Sequence, residues 1–295
     1  MPTSKGILFF NPSSGAKLSA AELERLKNAA QELGLEVIHL TRETDCAKTI
    51  RERMQRGVGL FVAAGGDGTI SNVLQALVNT EGILAVIPVG TYNHFARDLG
   101  IPLDWHVALD VAFQGETRQI DAARVNDRFF VNNLSLGLYP ELIARREERG
   151  RVYPRWRARL YAAYHTLRKY PHVTLNLETE HHQEVVRTHV FMVSNNSYDL
   201  SGIGIKAARG TLEEGRLSVY WLPHLSRLKL AKFIAHYVAG RVHETPGFRS
   251  FRTSAMKVQS AHRVVHVGID GELFSMSPPL VITIVPRSLL VRVPR

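Results

Sequence analysis

One cysteine, Cys46, is all this 295-residue chain carries, so it can close no disulfide within itself and cannot build a cysteine-based zinc site. No apolar run approaches the ~20 residues that a membrane-spanning helix requires. Met1-Pro2-Thr3-Ser4-Lys5 leads straight into an apolar strand pattern and lacks the features of a signal peptide, so a cytoplasmic protein is expected. There is no internal repeat, no low-complexity segment and no Walker A sequence. Acidic residues are also short: 27 Asp+Glu face 37 Lys+Arg, a net charge of +10. Such an excess predicts anionic company, whether nucleotide, nucleic acid or an acidic membrane surface. What remains, 45% hydrophobic and 22% charged residues, is an ordinary globular composition, and the length suits two domains.

The first 124 residues alternate between strand and helix patterns. Apolar runs at 6–10, 36–40, 59–64 and 83–87 read as buried strands. Between them, Leu23, Leu26, Ala30 and Leu33 form one helical stripe ending at Gly34, and Asp45 caps a second helix that buries Cys46, Ile50 and Met54. This alternation predicts a doubly wound α/β domain with a mostly parallel sheet covered on both faces. From about residue 125 to 287 the pattern changes to short antiparallel strands, at 120–125, 128–133, 172–177, 185–193, 216–221, 248–258, 264–267 and 280–285. Asn126-Asp127 and the polar run 180–183 are the turns. An antiparallel β-sandwich is expected, interrupted by helices at 141–170 and 226–239, and a last strand at 288–293 could close either domain.

Ligands bind such α/β sheets outside the carboxyl ends of the strands. Three polar, glycine-containing loops leave from those ends, at 11–15, 65–69 and 88–93. The central one reads Gly65-Gly66-Asp67-Gly68-Thr69 and runs into a helix striped by Ile70, Val73, Leu74, Leu77 and Val78. Glycines let a phosphate or another backbone come close, and the free N–H groups of a helix start favour an anion. Asp67 fits beside a phosphate when a metal ion lies between them, or when it takes a proton from an attacking hydroxyl. A tight strand-to-helix turn with a capping residue is the plainer alternative.

Asn11-Pro12-Ser13-Ser14-Gly15, Gly65-Gly66-Asp67-Gly68-Thr69, the run from Pro88 through Gly90-Thr91-Tyr92-Asn93-His94 to Arg97, and the later Asp270-Gly271-Glu272 occur in an order that resembles the diacylglycerol kinase catalytic-domain family. That family includes sphingosine and ceramide kinases and shares its glycine loop with NAD kinases. The resemblance implies an α/β nucleotide-binding domain over 1–124, a β-sandwich domain over 125–287, and a C-terminal strand over 288–295. It implies a lipid kinase that uses ATP and Mg2+ at an anionic membrane surface, with a homodimer possible and no specific nucleic acid. By the same resemblance, Asn11, Gly15, Gly65, Gly66, Gly68, Thr69, Asn72, Thr91 and Asn93 would hold ATP, with Thr41 near the base. Asp67 would sit between phosphate, magnesium and acceptor, and Glu272 would be the general base. Asp121 would belong to a metal-linked polar network, and Glu214 would stand in for the family's structural magnesium ligand. The alternatives are a catalytically weak nucleotide- or lipid-binding relative and a soluble-substrate kinase of NAD kinase type.

Some positions depart from the family. His94 stands where many bacterial members place Asp; it would contact phosphate or only cap its helix. Gly137-Leu138-Tyr139-Pro140 replaces a common Gly-Phe-Asp-Ala run and loses a carboxylate. His181-His182 reads as an exposed turn, and Gly202-Ile203-Gly204 lacks the strand–helix context of a dinucleotide fingerprint. Seven of the fifteen residues at 145–159 are arginine, interleaved with Tyr153, Pro154 and Trp156. Such a run is a solvated face, a membrane-binding surface or a nucleic-acid surface.

Overall fold

The computed structural model describes residues 5–11, 18–41, 44–137, 172–180, 182–195, 197–199, 206–207, 212–226, 228–229, 231–232 and 249–295. The arginine-aromatic run at 145–164, the expected helix at 141–170, Gly15, Tyr139, His181 and residues 202–204 therefore lie outside the described residues. Of the helix expected at 226–239, Ser226 is described and is not helical, whereas residues 228–229 and 231–232 are. The chain divides into two compact units, Met1–Ala122 with Val285–Arg295, and Ala123–Ile284.

The first unit runs β1 (Gly6–Phe10), α1 (Ala20–Glu32), β2 (Leu35–His39), α2 (Cys46–Gln55), β3 (Leu60–Gly65), α3 (Asp67–Leu77), β4 (Ile83–Pro88), α4 (His94–Asp98), α5 (Trp105–Gln114) and into β5 (Glu116–Val125). The helix starts follow local chemistry. Ser19 and Glu22 form a reciprocal capping box on α1, and Asp45 accepts the Lys48 N–H at 2.9 Å to open α2. Each such cap stabilises its helix by ~1 kcal/mol. Leu26, Ala30 and Ile50 are buried, whereas Cys46 and Met54 are only half-buried and Leu33, expected on the apolar stripe, is exposed beyond the end of α1.

The second unit contains β6 (Arg128–Phe130), β7 (Asn133–Gly137), β8 (Val173–Glu178), β9 (Gln183–Ser194), β10 (Tyr198–Asp199), β11 (Lys206–Ala207), β12 (Leu217–Pro223), β13 (Arg249–Thr253), β14 (Ala255–Ser260), β15 (Val265–Ile269) and β16 (Glu272–Met276). β17 (Leu280–Val293) begins there and ends in the first unit. Its close pairs Leu290 with Ile83 in parallel register, so the sheet of the first unit has the order β2-β1-β3-β4-β17. Helices α2 and α3 pack together, as do α1 and α5.

In the second unit β9 pairs antiparallel with β8 over its first half and with both β7 and β12 over its second. Phe130, Leu134, Phe191, Val219, Val258 and Ile282 close the core of that unit.

Two expected strands are broken. The run 128–133 splits at Val131-Asn132 into β6 and β7, because the backbone N–H groups there turn to a buried carboxylate, that of Asp270. The run 248–258 splits at Ser254: β13 pairs with β12, whereas β14 pairs with β8 and β17. Strands β10, β11 and β16 were not expected, and β5 starts four residues before the expected 120.

Candidate active site

From β1 the chain steps to β2 on one side and then crosses back to β3 on the other. The order therefore reverses between β1 and β3, and a crevice opens at their carboxyl ends, where parallel sheets of this kind take ligands. Asn11 follows β1 and spans that crevice. Its backbone N–H donates to the Ala64 carbonyl at 3.1 Å, and its Nδ2 donates to Thr69 Oγ1 at 3.1 Å. Thr41 leaves the end of β2, exposed, with its N–H donated to Thr44 Oγ1 at 2.9 Å.

The glycines at the end of β3 are required by space. A Cβ on Gly65 would lie 2.3 Å from Thr69 Oγ1, in the first turn of α3. A Cβ on Gly90 would lie 2.3 Å from the Gly66 Cα, so the loops after β3 and β4 touch backbone to backbone. The Val89 N–H donates to the Gly65 carbonyl at 3.2 Å across the same contact. Gly66 is the N-cap of α3, in an extended conformation, and no side chain caps the helix. The N–H groups of that first turn have no side-chain cap, the usual setting for an anion.

Asp67 is the first residue of α3 and is largely enclosed. Its Oδ1 accepts the Phe95 N–H at 3.4 Å, joining the glycine loop to the start of α4. Burial raises the pKa of this carboxyl above its ordinary value, and the neighbouring His94 and the N–H groups of Phe95, His94 and Asn93 pull it back down in part. Asn93 is fully buried in the left-handed region (φ 54°), where Asn is tolerated better than most residues. Its Nδ2 donates to the carbonyls of Pro88 and Gly90 at 3.2 and 2.9 Å, while its buried Oδ1 has no partner. Asn93 is also the N-cap of α4, so His94 does not cap it; the His94 ring stacks on Tyr92 with centroids 5.6 Å apart. Thr91 is exposed on the loop between them, Gly68 lies in the first turn of α3, and Asn72 faces solvent farther along that helix.

The remaining expected site residues have different surroundings. Asp121 on β5 is buried, and its Oδ1 accepts the Arg287 N–H at 2.8 Å, fastening a positive-φ kink (46°) in β17. Glu214 pairs with Arg252 at 2.7 Å. Glu272 opens β16, half-buried, directly after the Asp270-Gly271 turn. Among the described residues no three or more His, Cys, Asp or Glu side chains gather as a metal site. Mg2+ is commonly held by one or two carboxylates plus substrate phosphates, and Asp67 beside an uncapped helix start fits that pattern. The sequence places Gly90 and Asp270 within its motifs but assigns neither a role; the signals were a second glycine after a strand and an Asp-Gly pair.

Residues 5–125 match the diacylglycerol kinase catalytic domain, and residues 141–293 match the YegS C-terminal NAD kinase beta sandwich-like domain. A diacylglycerol kinase of Bacillus subtilis (strain 168) is 37% identical over 142 residues, 46% of each chain. One from Staphylococcus aureus (strain JH9) is 33% identical over 129 residues, 42% of this chain and 41% of the relative. The matched region thus spans less than half the length of these curated relatives. A crystal structure of a diacylglycerol kinase from Bacillus anthracis str. Sterne gives a TM-score of 0.70 at 18% identity, covering 99% of this chain and 98% of that one. Another from the same organism gives 0.74 at 20% identity with the same coverage. Yeast NADH kinase complexed with NADH gives 0.52 at 14% identity, covering 100% of this chain and 88% of that one. At these identities the structures speak for the fold alone, mixed α/β with a β-sandwich-like C-terminal part. By motif order, family match and fold, the chain belongs to the diacylglycerol kinase catalytic-domain family.

Proposed function

We propose that the protein is an ATP-dependent lipid kinase that transfers the γ-phosphoryl group to a lipid hydroxyl at a membrane surface. The observation that carries this reading is the backbone contact of Gly66 with Gly90 beside the uncapped start of α3. A side chain at Gly90 is excluded by the Gly66 backbone, and the backbone N–H groups at the start of α3 form a row of fixed donors that suits the spread charge of nucleotide phosphates. Magnesium, when bound, would neutralise part of the phosphate charge, with Asp67 as its protein ligand. Asn11 and Thr69 brace the crevice floor, and Asn93 holds the 88–93 loop through two backbone carbonyls. Glu272 takes the proton from the lipid hydroxyl as the oxygen attacks phosphorus, and ADP leaves with the bridging oxygen.

The purified protein should transfer label from γ-labelled ATP to one member of a panel of diacylglycerol, sphingoid bases, ceramide and total lipid extract. Transfer to NAD with none to any lipid would contradict the lipid reading and favour a soluble acceptor.

A lipid acceptor lies in a bilayer, and among the described residues no helix is long and apolar enough to cross one. We assign the contact with an anionic membrane surface to the arginine-aromatic run at 145–164. Each arginine near such a surface contributes roughly 1 kcal/mol at low salt. Changing Arg151, Arg155, Arg157 and Arg159 together to Gln should abolish co-sedimentation with anionic vesicles while sparing activity on detergent-dispersed lipid. Vesicle binding by the wild type that ignores lipid charge and salt would contradict it.

A further inference from the structure

We propose that Asp270 is the positioning residue for Glu272, an inference that rests on the kinase reading above. Asp270 and Gly271 form the two-residue turn between β15 and β16, with φ of 47° and 87°. Both positive values mark a type I′ hairpin, in which Ile269 and Glu272 are the closing pair. In a free hairpin the side chain at the first turn position is solvated. Here it is buried and turned back to the chain between β6 and β7.

Three backbone donors meet it there. Val131 N–H reaches Oδ2 at 3.0 Å, and the N–H groups of Asn132 and Asn133 reach Oδ1 at 2.9 and 3.0 Å. The Asp270 N–H in turn donates to the Asn133 carbonyl at 2.9 Å. From the far side, the Asn195 N–H and Ser194 Oγ both donate to the Asn132 carbonyl, at 3.1 and 2.9 Å. A carboxylate with three N–H donors is strongly held, because each bond is charge-assisted and the group is out of water. The strand next to the turn is held as well: the Arg128 guanidinium lies 4.1 Å over the Phe274 ring, two residues beyond Glu272. Glu272 therefore leaves a turn fixed at one end by Asp270 and a strand fixed at the other by Arg128.

The same bonds explain why strand 128–133 breaks. Three consecutive N–H groups aimed at one carboxylate cannot also serve a ladder, so β6 ends at Phe130 and β7 begins at Asn133. Asn at 270 would keep one oxygen but place an NH2 against an N–H, so at most two of the three bonds survive. A shift of about 1 Å in a catalytic group can cost ~10²-fold in rate.

The test is a double-mutant cycle with diacylglycerol in mixed micelles as the acceptor. Asp270→Asn should lower kcat by about 10- to 100-fold with the KM for ATP unchanged. Glu272→Gln should lower kcat further, and in that background Asp270→Asn should cost less than about 2-fold, because a positioning residue has nothing left to position. Gly271→Ala is the second variant and carries the cycle alone where Asp270→Asn does not fold. Apart from its two chain neighbours nothing stands within 4 Å of its added Cβ, so it strains the turn through φ while Asp270 keeps its carboxylate. It should lower kcat several-fold, again only when Glu272 is present. Losses that multiply in the double variants would overturn the positioning role and leave Asp270 a fold residue. Full turnover in Glu272→Gln would instead overturn the assignment of the base.

Discussion

Asp67→Asn is expected to lower phosphoryl-transfer turnover by on the order of 10²-fold or more, and also to raise the melting temperature of the nucleotide-free protein at neutral pH. Both effects come from one fact: the carboxylate sits enclosed at the start of α3, with its pKa raised chiefly by burial. An acid whose folded pKa lies above its unfolded value favours folding most below the unfolded value, and that contribution is lost as pH rises through the folded value. At neutral pH the fold therefore carries an ionised carboxylate at a cost, which the amide removes while its Oδ1 still accepts from Phe95. The melting-temperature gap between variant and wild type should grow as pH rises from below the ordinary carboxylate range to neutrality. A gap that shrinks over that range, or wild-type turnover in the variant, would remove Asp67 from the role given to it.

Gly90→Ala should be a severely damaging single methyl group in the first unit. The added Cβ would meet the Gly66 Cα at 2.3 Å and the Asn93 Oδ1 at 2.8 Å. The first of these is backbone at a helix N-cap and cannot rotate aside. Overpacking of this kind costs ~1–3 kcal/mol, and relief must come by separating the loops after β3 and β4. ATP affinity should fall by about 10-fold or more, since the donors at the start of α3 move with Gly66. Gly59→Ala is the matching control: its Cβ meets nothing within 4 Å, and both melting temperature and ATP affinity should stay near wild type. Equal behaviour of the two variants would show that the loop contact does not shape the site.

The parallel sheet was legible because its strands are short, continuous apolar runs. Gly6–Phe10 lies at the predicted bounds, and β2, β3 and β4 fall within a residue of theirs. The helix starts at Ser19 and Asp45 rest on residues three positions apart, so local chemistry decides them. Contacts across long stretches of chain left no such trace. The approach of Gly66 to Gly90 needs two loops from neighbouring strands. The break at Val131-Asn132 depends on a carboxylate 138 and 139 residues away. Ser254 splits a run that reads as one strand, because the two halves pair with different strands. Asp270-Gly271-Glu272 was visible as a motif, but not the direction of the Asp270 side chain. Glu214, expected to stand in for a structural magnesium ligand, pairs with Arg252, a contact that residue type alone does not reveal.

The most direct test of the central claim is amide hydrogen exchange of the full chain with and without ATP and Mg2+. The account predicts that ATP slows exchange at residues 65–72 and 89–95, the start of α3 and the loop that touches it, and that Asp67→Asn weakens this protection. Protection absent from both segments while ATP is demonstrably bound would place the nucleotide elsewhere and contradict the account.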